Sequence, residues 1–171
     1  MATHVLGTTG DRILIVKKTG TEHIIVLRVK DDNVKYIEFP SKRWAAFREL
    51  VDDVNVSAKV VANGGSNIKL RQHVGGGYYV SVTSGFRCVD IRKFYKPHGS
   101  TEAEIKPTKR GVALRFDEFA HLCNLIEEIN VAYPDLASAQ PCFFDDDHLN
   151  QLGWLSCTEC HPFGCDYVST V

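Results

Sequence analysis

The chain lacks any apolar run approaching the roughly 20 residues that span a bilayer, and Met1-Ala2-Thr3-His4 has neither the charged nor the apolar region of a secretory signal. The expectation is therefore an intracellular protein with no membrane partner and with its thiols reduced. No glycine-rich phosphate loop occurs, and no grouping of nucleophile, His and carboxylate. These absences argue against an enzyme. Positive charge is missing from a whole third of the molecule, since residues 117–171 carry no Lys or Arg against 10 Asp and Glu.

What is present is enough apolar material for a packed core, 44% of the residues, which excludes disorder throughout. The formal net charge of −1 hides a division into blocks. Residues 1–70 carry 11 Lys and Arg against 8 Asp and Glu, and residues 71–116 carry 9 against 3. A basic block beside an acidic one says more about partners than the total does.

The chain also repeats itself. At an offset of 75, Trp44, Phe47, Leu50, Val51 and Val54 align with Phe119, Leu122, Leu125, Ile126 and Ile129. That spacing puts each set on one helical stripe, over about 41–54 and 117–131. Ser41 and Asp117 are the expected caps, and Pro134 ends the second helix. Upstream, residues 13–16 and 24–29 match 78–82 and 88–92 as strand-forming runs, with further strands at 34–39 and 110–115. The third strand of the first copy is not evident.

The predicted fold class is α+β: two β-β-β-β-α units forming an intramolecular pseudo-dimer, with an acidic Cys-containing C-terminal extension. The divisions are a degenerate first copy (1–56), a linker with an ordered, alternating centre (57–77), a second copy (78–134) and an acidic, Cys- and aromatic-bearing tail (135–171). One unit alone exposes its helix stripe, too little core for about 50 residues. A 21-residue linker reaches up to roughly 70 Å, so the two copies are free to pair.

Two motifs stand in order in the second copy: Val89-Asp90-Ile91-Arg92 running into Phe94-Tyr95, and Lys106-Pro107-x-Lys109-Arg110-Gly111-Val112-x-Leu114 ahead of Phe119. Over about 55 residues this stretch resembles the C-terminal domain of the transcriptional coactivator positive cofactor four, a relative of the Whirly and Pur-alpha-like folds. The resemblance implies a non-enzymatic protein that binds single-stranded DNA. Lys106, Lys109 and Arg110 match the family's phosphate-contacting basic hairpin, stiffened here by Pro107. Tyr95 matches its base-stacking strand tryptophan, with Phe94 facing inward because strand neighbours alternate. Phe86 matches its loop phenylalanine.

Arg87, Arg92 and Lys93 add phosphate contacts from the basic block. In the first copy Lys17, Arg28, Lys30 and Lys35 supply charge, but no aromatic stands where Tyr95 does. Cations along a backbone track and rings for stacking are what single strands require. Expected partners are single-stranded DNA, RNA as an alternative of Pur-alpha-like type, and transcription machinery. The expected place is the nucleus, with the cytoplasm as alternative. The competing reading is a protein-interaction scaffold that kept the fold and lost most nucleic-acid affinity.

In the tail, Cys157-x-x-Cys160-His161-x-x-x-Cys165 has spacings suited to zinc, with Cys142 or His148 as extra ligands. A single Cys-x-x-Cys pair is a weak signal, and the expectation is no cofactor, with zinc as the alternative. A further alternative is that the acidic tail lies over the basic groove and competes with nucleic acid.

Overall fold

A computed structural model describes residues 1–99 and 104–164. Two four-stranded antiparallel meanders form its frame: β1 (Ala2–Leu6), β2 (Arg12–Thr19), β3 (Glu22–Val29) and β4 (Tyr36–Phe39), then β5 (Lys69–Gly75), β6 (Tyr78–Thr83), β7 (Cys88–Tyr95) and β8 (Lys106–Arg115). A helix follows each sheet, α1 (Ser41–Ala62) and α2 (Phe116–Ala132), so the two β-β-β-β-α units of the pseudo-dimer are both present. Among the described residues no helix is long and apolar enough to cross a membrane.

The strand missing from the first copy lies at its front. β1 pairs with β2 from Ala2↔Val16 to Leu6↔Arg12, and its equivalent β5 falls inside the stretch expected to be linker. Residues 57–77 therefore hold the last turns of α1 and all of β5. β5 meets β6 through Gly76 and Gly77, at φ +60° and +85°. A two-residue turn of that hand needs positive φ at both positions, which glycine tolerates.

The helix starts differ from expectation too. Pro40 takes the cap position of α1, and Ser41 makes no capping bond. At α2 the cap is Arg115, whose backbone N–H donates to Glu118 Oε1 at 2.8 Å. Asp117 is displaced from the role because Glu118, three residues into the helix, turns back over its first turn. Pro134 opens a short helix, α3 (Pro134–Ser138), directly after α2.

The units exchange their helices' support. α1 packs on β5 and β6 as well as on β3, while α2 packs on β1 as well as on β7 and β8. One continuous core results, holding Leu14, Leu27, Trp44 and Phe47 with Val80, Ile91, Leu114 and Phe119, all fully buried or nearly so. Bonds cross the pseudo-two-fold: Arg12 Nε donates to the Ala113 carbonyl at 3.2 Å, and Gly7 N donates to His121 Nδ1 at 3.2 Å.

The extension folds back on α1. Arg48 donates to the carbonyls of Leu136 and Ala139, at 3.0 and 3.1 Å, and Leu136 is fully buried in the common core. Two 3-10 turns (Cys142–Phe144, Asp146–His148) and α4 (Gln151–Ser156) follow.

Candidate nucleic-acid interface and candidate metal centre

Helices cover one face of each sheet and leave the other open. In the second sheet the cross-strand rows Ser81–Asp90–Ala113 and Tyr79–Arg92–Gly111 point outward. They help form a groove of about 400 Å³ lined by Ser81, Thr83, Phe86, Cys88, Asp90, Arg92, Phe94 and Pro107. Gly111 is required beneath it, because a Cβ there would meet the Ile91 carbonyl at 2.6 Å and Arg92 Cα at 2.7 Å.

The aromatics divide within this groove. Phe86, at the β6–β7 turn, is 66% exposed and stands at the groove's edge. Phe94 forms the floor, edge-on to Tyr79 at 5.1 Å and under the Arg71 guanidinium at 5.3 Å. Phe94, expected to face inward, thus lies on the groove side, and Tyr95, half-exposed, is turned to the other face and does not line the groove. The register shift between Arg92 and Phe94 accompanies the change in pairing, with Phe94 opposite Pro107 and Tyr95 opposite Lys106.

The cations divide as well. Lys106, Lys109, Arg110 and Arg87 are exposed, as is Lys30 at the end of β3. Arg92 is not free: it holds Asp90 with two bonds, at 3.1 and 3.0 Å, and donates to the Thr108 carbonyl at 2.9 Å. Lys93 lies near the Tyr78 ring, 5.8 Å from its centroid, on the side away from Arg92. Neighbours on a strand cannot share a face.

In the first unit Lys17 pairs with Glu38 at 3.1 Å and Arg28 donates to the Asp32 carbonyl at 2.8 Å. Lys35 lies 4.0 Å from the Asp32 carboxylate. Backbone N–H groups of Lys35 and Val34 hold that carboxyl below its ordinary range. A smaller groove of about 260 Å³ on this sheet contains Ile15, Lys17, Val26, Arg28, Tyr36 and Glu38.

Tyr36 was not singled out from the sequence, nor were Lys69, Arg71 and Tyr79. Lys69, Arg71 and His73 alternate along β5 and pair with Thr83, Ser81 and Tyr79, so they lie on the open face. The signal was the alternation itself, legible once residues 69–75 are taken as a strand.

Among the described residues the extension contributes nothing to the lining of the groove and approaches the sheet at its β5 edge, where Glu159 and His161 act on His73. It lies along α1 and the β5–β6 turn, where Arg43 grips Glu159 with two bonds of 2.8 and 2.9 Å, Gly76 N donates to the Glu159 carbonyl at 2.9 Å, and Lys42 pairs with Asp145. The cover expected over the basic groove is thus not formed by residues 135–164: their acidic groups meet cations of α1 instead.

Within the extension Cys142, His148, Cys157 and Cys160 converge, with one ligand atom from each lying within 4.8 Å of the others. Burial pushes the Cys142 thiol up to about 11 and raises Cys160 as well. At Cys157 burial acts in the same direction, but the Cys160 backbone N–H, the His148 ring and the Cys142 thiol outweigh it, and the thiol comes down to about 7. His161 is outside the cluster. Its Nδ1 lies 2.9 Å from the Trp154 carbonyl and its ring packs edge-on against that indole at 4.6 Å. Cys165 lies outside the described residues. Comparison of the chain with protein-family models, with curated proteins and with solved structures finds no match.

Proposed function

We propose that this chain binds single-stranded nucleic acid, DNA in the first instance, along the open faces of its two sheets. It acts by binding rather than by catalysis, in transcription regulation or in DNA replication and repair, within the nucleus. The family resemblance to positive cofactor four supplies that setting. The observation that carries the reading is the groove of the second sheet: exposed Phe86 at its edge, Phe94 on its floor, and the Arg71 guanidinium over that ring. Rings accept unpaired bases of any sequence, while the flanking cations follow the phosphates.

A scaffold role is the second reading. It draws on the ion pairs that occupy Lys17 and Arg92, which lower the charge available to a phosphate chain. Fluorescence anisotropy separates the two, using single-stranded DNA, the matching single-stranded RNA and blunt duplex at low and moderate salt. Preference for single strands that persists at moderate salt supports the proposal. Equal, weak, salt-sensitive binding of all three defeats it. RNA bound more tightly than DNA would reassign the substrate, since stacking and phosphate contacts serve both.

A further inference from the structure

The four side chains that converge in the extension come from three separate pieces of backbone. Cys142 starts a 3-10 turn, His148 ends the next one, and Cys157 and Cys160 flank the turn after α4. Cys142 Sγ lies 3.6 Å from Cys157 Sγ and 3.6 Å from His148 Nε2, and Cys160 Sγ lies 3.4 Å from the same Nε2. A tetrahedral zinc with sulfur at about 2.3 Å and nitrogen at about 2.0–2.1 Å sets edges of roughly 3.8 Å between sulfurs and roughly 3.6 Å between sulfur and nitrogen. Those three separations fit such a tetrahedron, and the other three pairs of ligand atoms lie within 4.8 Å.

The His148 ring is also held as a ligand ring should be. Its Nδ1 is 2.7 Å from Asp147 Oδ1, which leaves Nε2 facing the sulfurs. A carboxylate on the far nitrogen fixes tautomer and orientation in metal-bound histidines. The His148 side chain is almost wholly buried while Asp147 is exposed, so the pair reads as a ligand backed by its orienting group.

We propose that Cys142, His148, Cys157 and Cys160 bind one structural Zn²⁺, which fastens the C-terminal extension to α1 and the β5–β6 turn. Three thiolates and one imidazole make a closed site with no position left for substrate, the arrangement of structural rather than catalytic zinc. Binding releases the protons of the three thiols and involves no change of oxidation state. The resulting centre carries a net negative charge, and Lys42 and Arg43 are close by, lining the same cavity as Cys142 and Cys160. Asp145, paired with Lys42, lies between Cys142 and His148 in the chain, and Glu159, gripped by Arg43, lies between Cys157 and Cys160. Metal and ion pairs therefore act on the same short segment. None of the four ligands lines the groove of the second sheet, so the site does not depend on nucleic-acid binding.

The test uses the full chain purified under reductant. Elemental analysis should give about one zinc per chain. X-ray absorption on that zinc should show three sulfurs at about 2.3 Å and one nitrogen at about 2.0–2.1 Å. Cobalt exchanged into the site should show the intense visible bands of tetrahedral coordination and a thiolate charge-transfer band. Cys157→Ser, Cys160→Ser and His148→Ala should each lose those bands or the metal, whereas His161→Ala and Cys165→Ser should keep both. Chelation should expose residues near 140–164 to protease and leave residues 1–134 resistant. A chain that holds no zinc as purified and takes up none from micromolar free Zn²⁺ overturns the proposal. So does a metal shell of four sulfurs, or one lost in Cys165→Ser and kept in His148→Ala. Because the absorption spectrum is read on the unsubstituted chain, misfolded variants cannot obscure the outcome.

Discussion

Arg110 of β8 holds its guanidinium 5.5 Å from the centre of the Tyr36 ring, which belongs to β4 of the other unit. β4 and β8 run beside each other where the two halves meet, and this contact bridges the seam on the exposed side. Arg110 is one of the cations singled out by the basic motif, while Tyr36 lies in the first unit's own groove. The first copy, which lacks an aromatic at the place of Tyr95, thus has one on a different strand. A cation and a ring, the pair of groups that a single strand engages, therefore meet at the seam between the two sheets.

This contact sets an order among aromatic substitutions. Phe86→Ala should cost on the order of 1–3 kcal/mol of single-strand affinity, the range for one lost base stack. Tyr36→Ala should cost a similar amount if the strand crosses from one sheet to the other. Tyr95→Ala should cost less than Phe86→Ala, because Tyr95 does not line the groove. Titrations of the three variants with one labelled oligonucleotide provide the ranking. A dominant loss at Tyr95 would restore the position implied by family resemblance and count against the groove.

Salt dependence tells free cations from occupied ones. Each phosphate contact to a single strand adds about 0.7 to the slope of log K against log salt. Lys106→Gln with Lys109→Gln should lower that slope by roughly 1.4. Arg92→Gln should change it little, since that guanidinium already serves Asp90 and the Thr108 carbonyl. Asp90→Asn should raise affinity by releasing Arg92 from its counter-ion. Equal slope losses for Arg92→Gln and Lys106→Gln would show that the ion pair opens on binding.

The repeat was legible because helix stripes are periodic and large: Trp44 and Phe119, one repeat offset apart, are both buried. β1 and β5 were harder to see. β1 opens on Ala2, Thr3 and His4, and β5 carries Lys69, Arg71, Gln72 and His73, so neither has the apolar density of β3. Each nevertheless pairs along its neighbour, β5 with one irregularity between His73 and Gly75, and pairing needs backbone rather than apolar side chains. For a different reason, the position of Tyr95 relative to the groove was not legible. Sequence alternation puts Phe94 and Tyr95 on opposite faces but leaves open which face is the groove, and the bulge after Arg92 intervenes. For the metal centre, Cys-x-x-Cys was visible in the chain. The choice of His148 over His161 was not, because it depends on which ring the Trp154 carbonyl engages.

Trp44 anchors the joint core and gives a test of how it is held. The ring is fully buried between Phe39, edge-on at 5.7 Å, and Phe47, stacked at 5.5 Å. Its indole nitrogen has no hydrogen-bond partner among the described residues. Trp44→Ala should cost about 3–5 kcal/mol through lost burial and the cavity left behind. Trp44→Phe should cost much less, since it keeps most of the ring and removes the unpaired N–H. Chemical denaturation of both variants should show one cooperative transition, because both units share this core. Two separated transitions would mean that the halves fold independently.

The last prediction concerns acid. His73 sits on β5 with its Nε2 accepting from Gly77 N at 3.2 Å and its ring 5.0 Å from Tyr79. Burial holds the ring down to about 4, with Arg43 and His161 pushing the same way and Glu159 opposing them. In the unfolded chain a histidine titrates near 6.5. Between those two values the unfolded state takes up a proton that the folded state refuses, so stability falls as pH drops from about 6.5 towards 4. The loss is at most about 1.4 kcal/mol per pH unit for one group, and it ends below the folded value. Acid also protonates Cys157 and His148 of the extension, so the wild-type curve alone does not isolate His73. The difference from His73→Gln does, since glutamine does not titrate and its side-chain oxygen is able to accept from Gly77 N. Denaturation midpoints at pH 7, 6 and 5 should fall less steeply for His73→Gln than for the unsubstituted chain. Parallel curves would show that the ring is accessible to protons in the folded state.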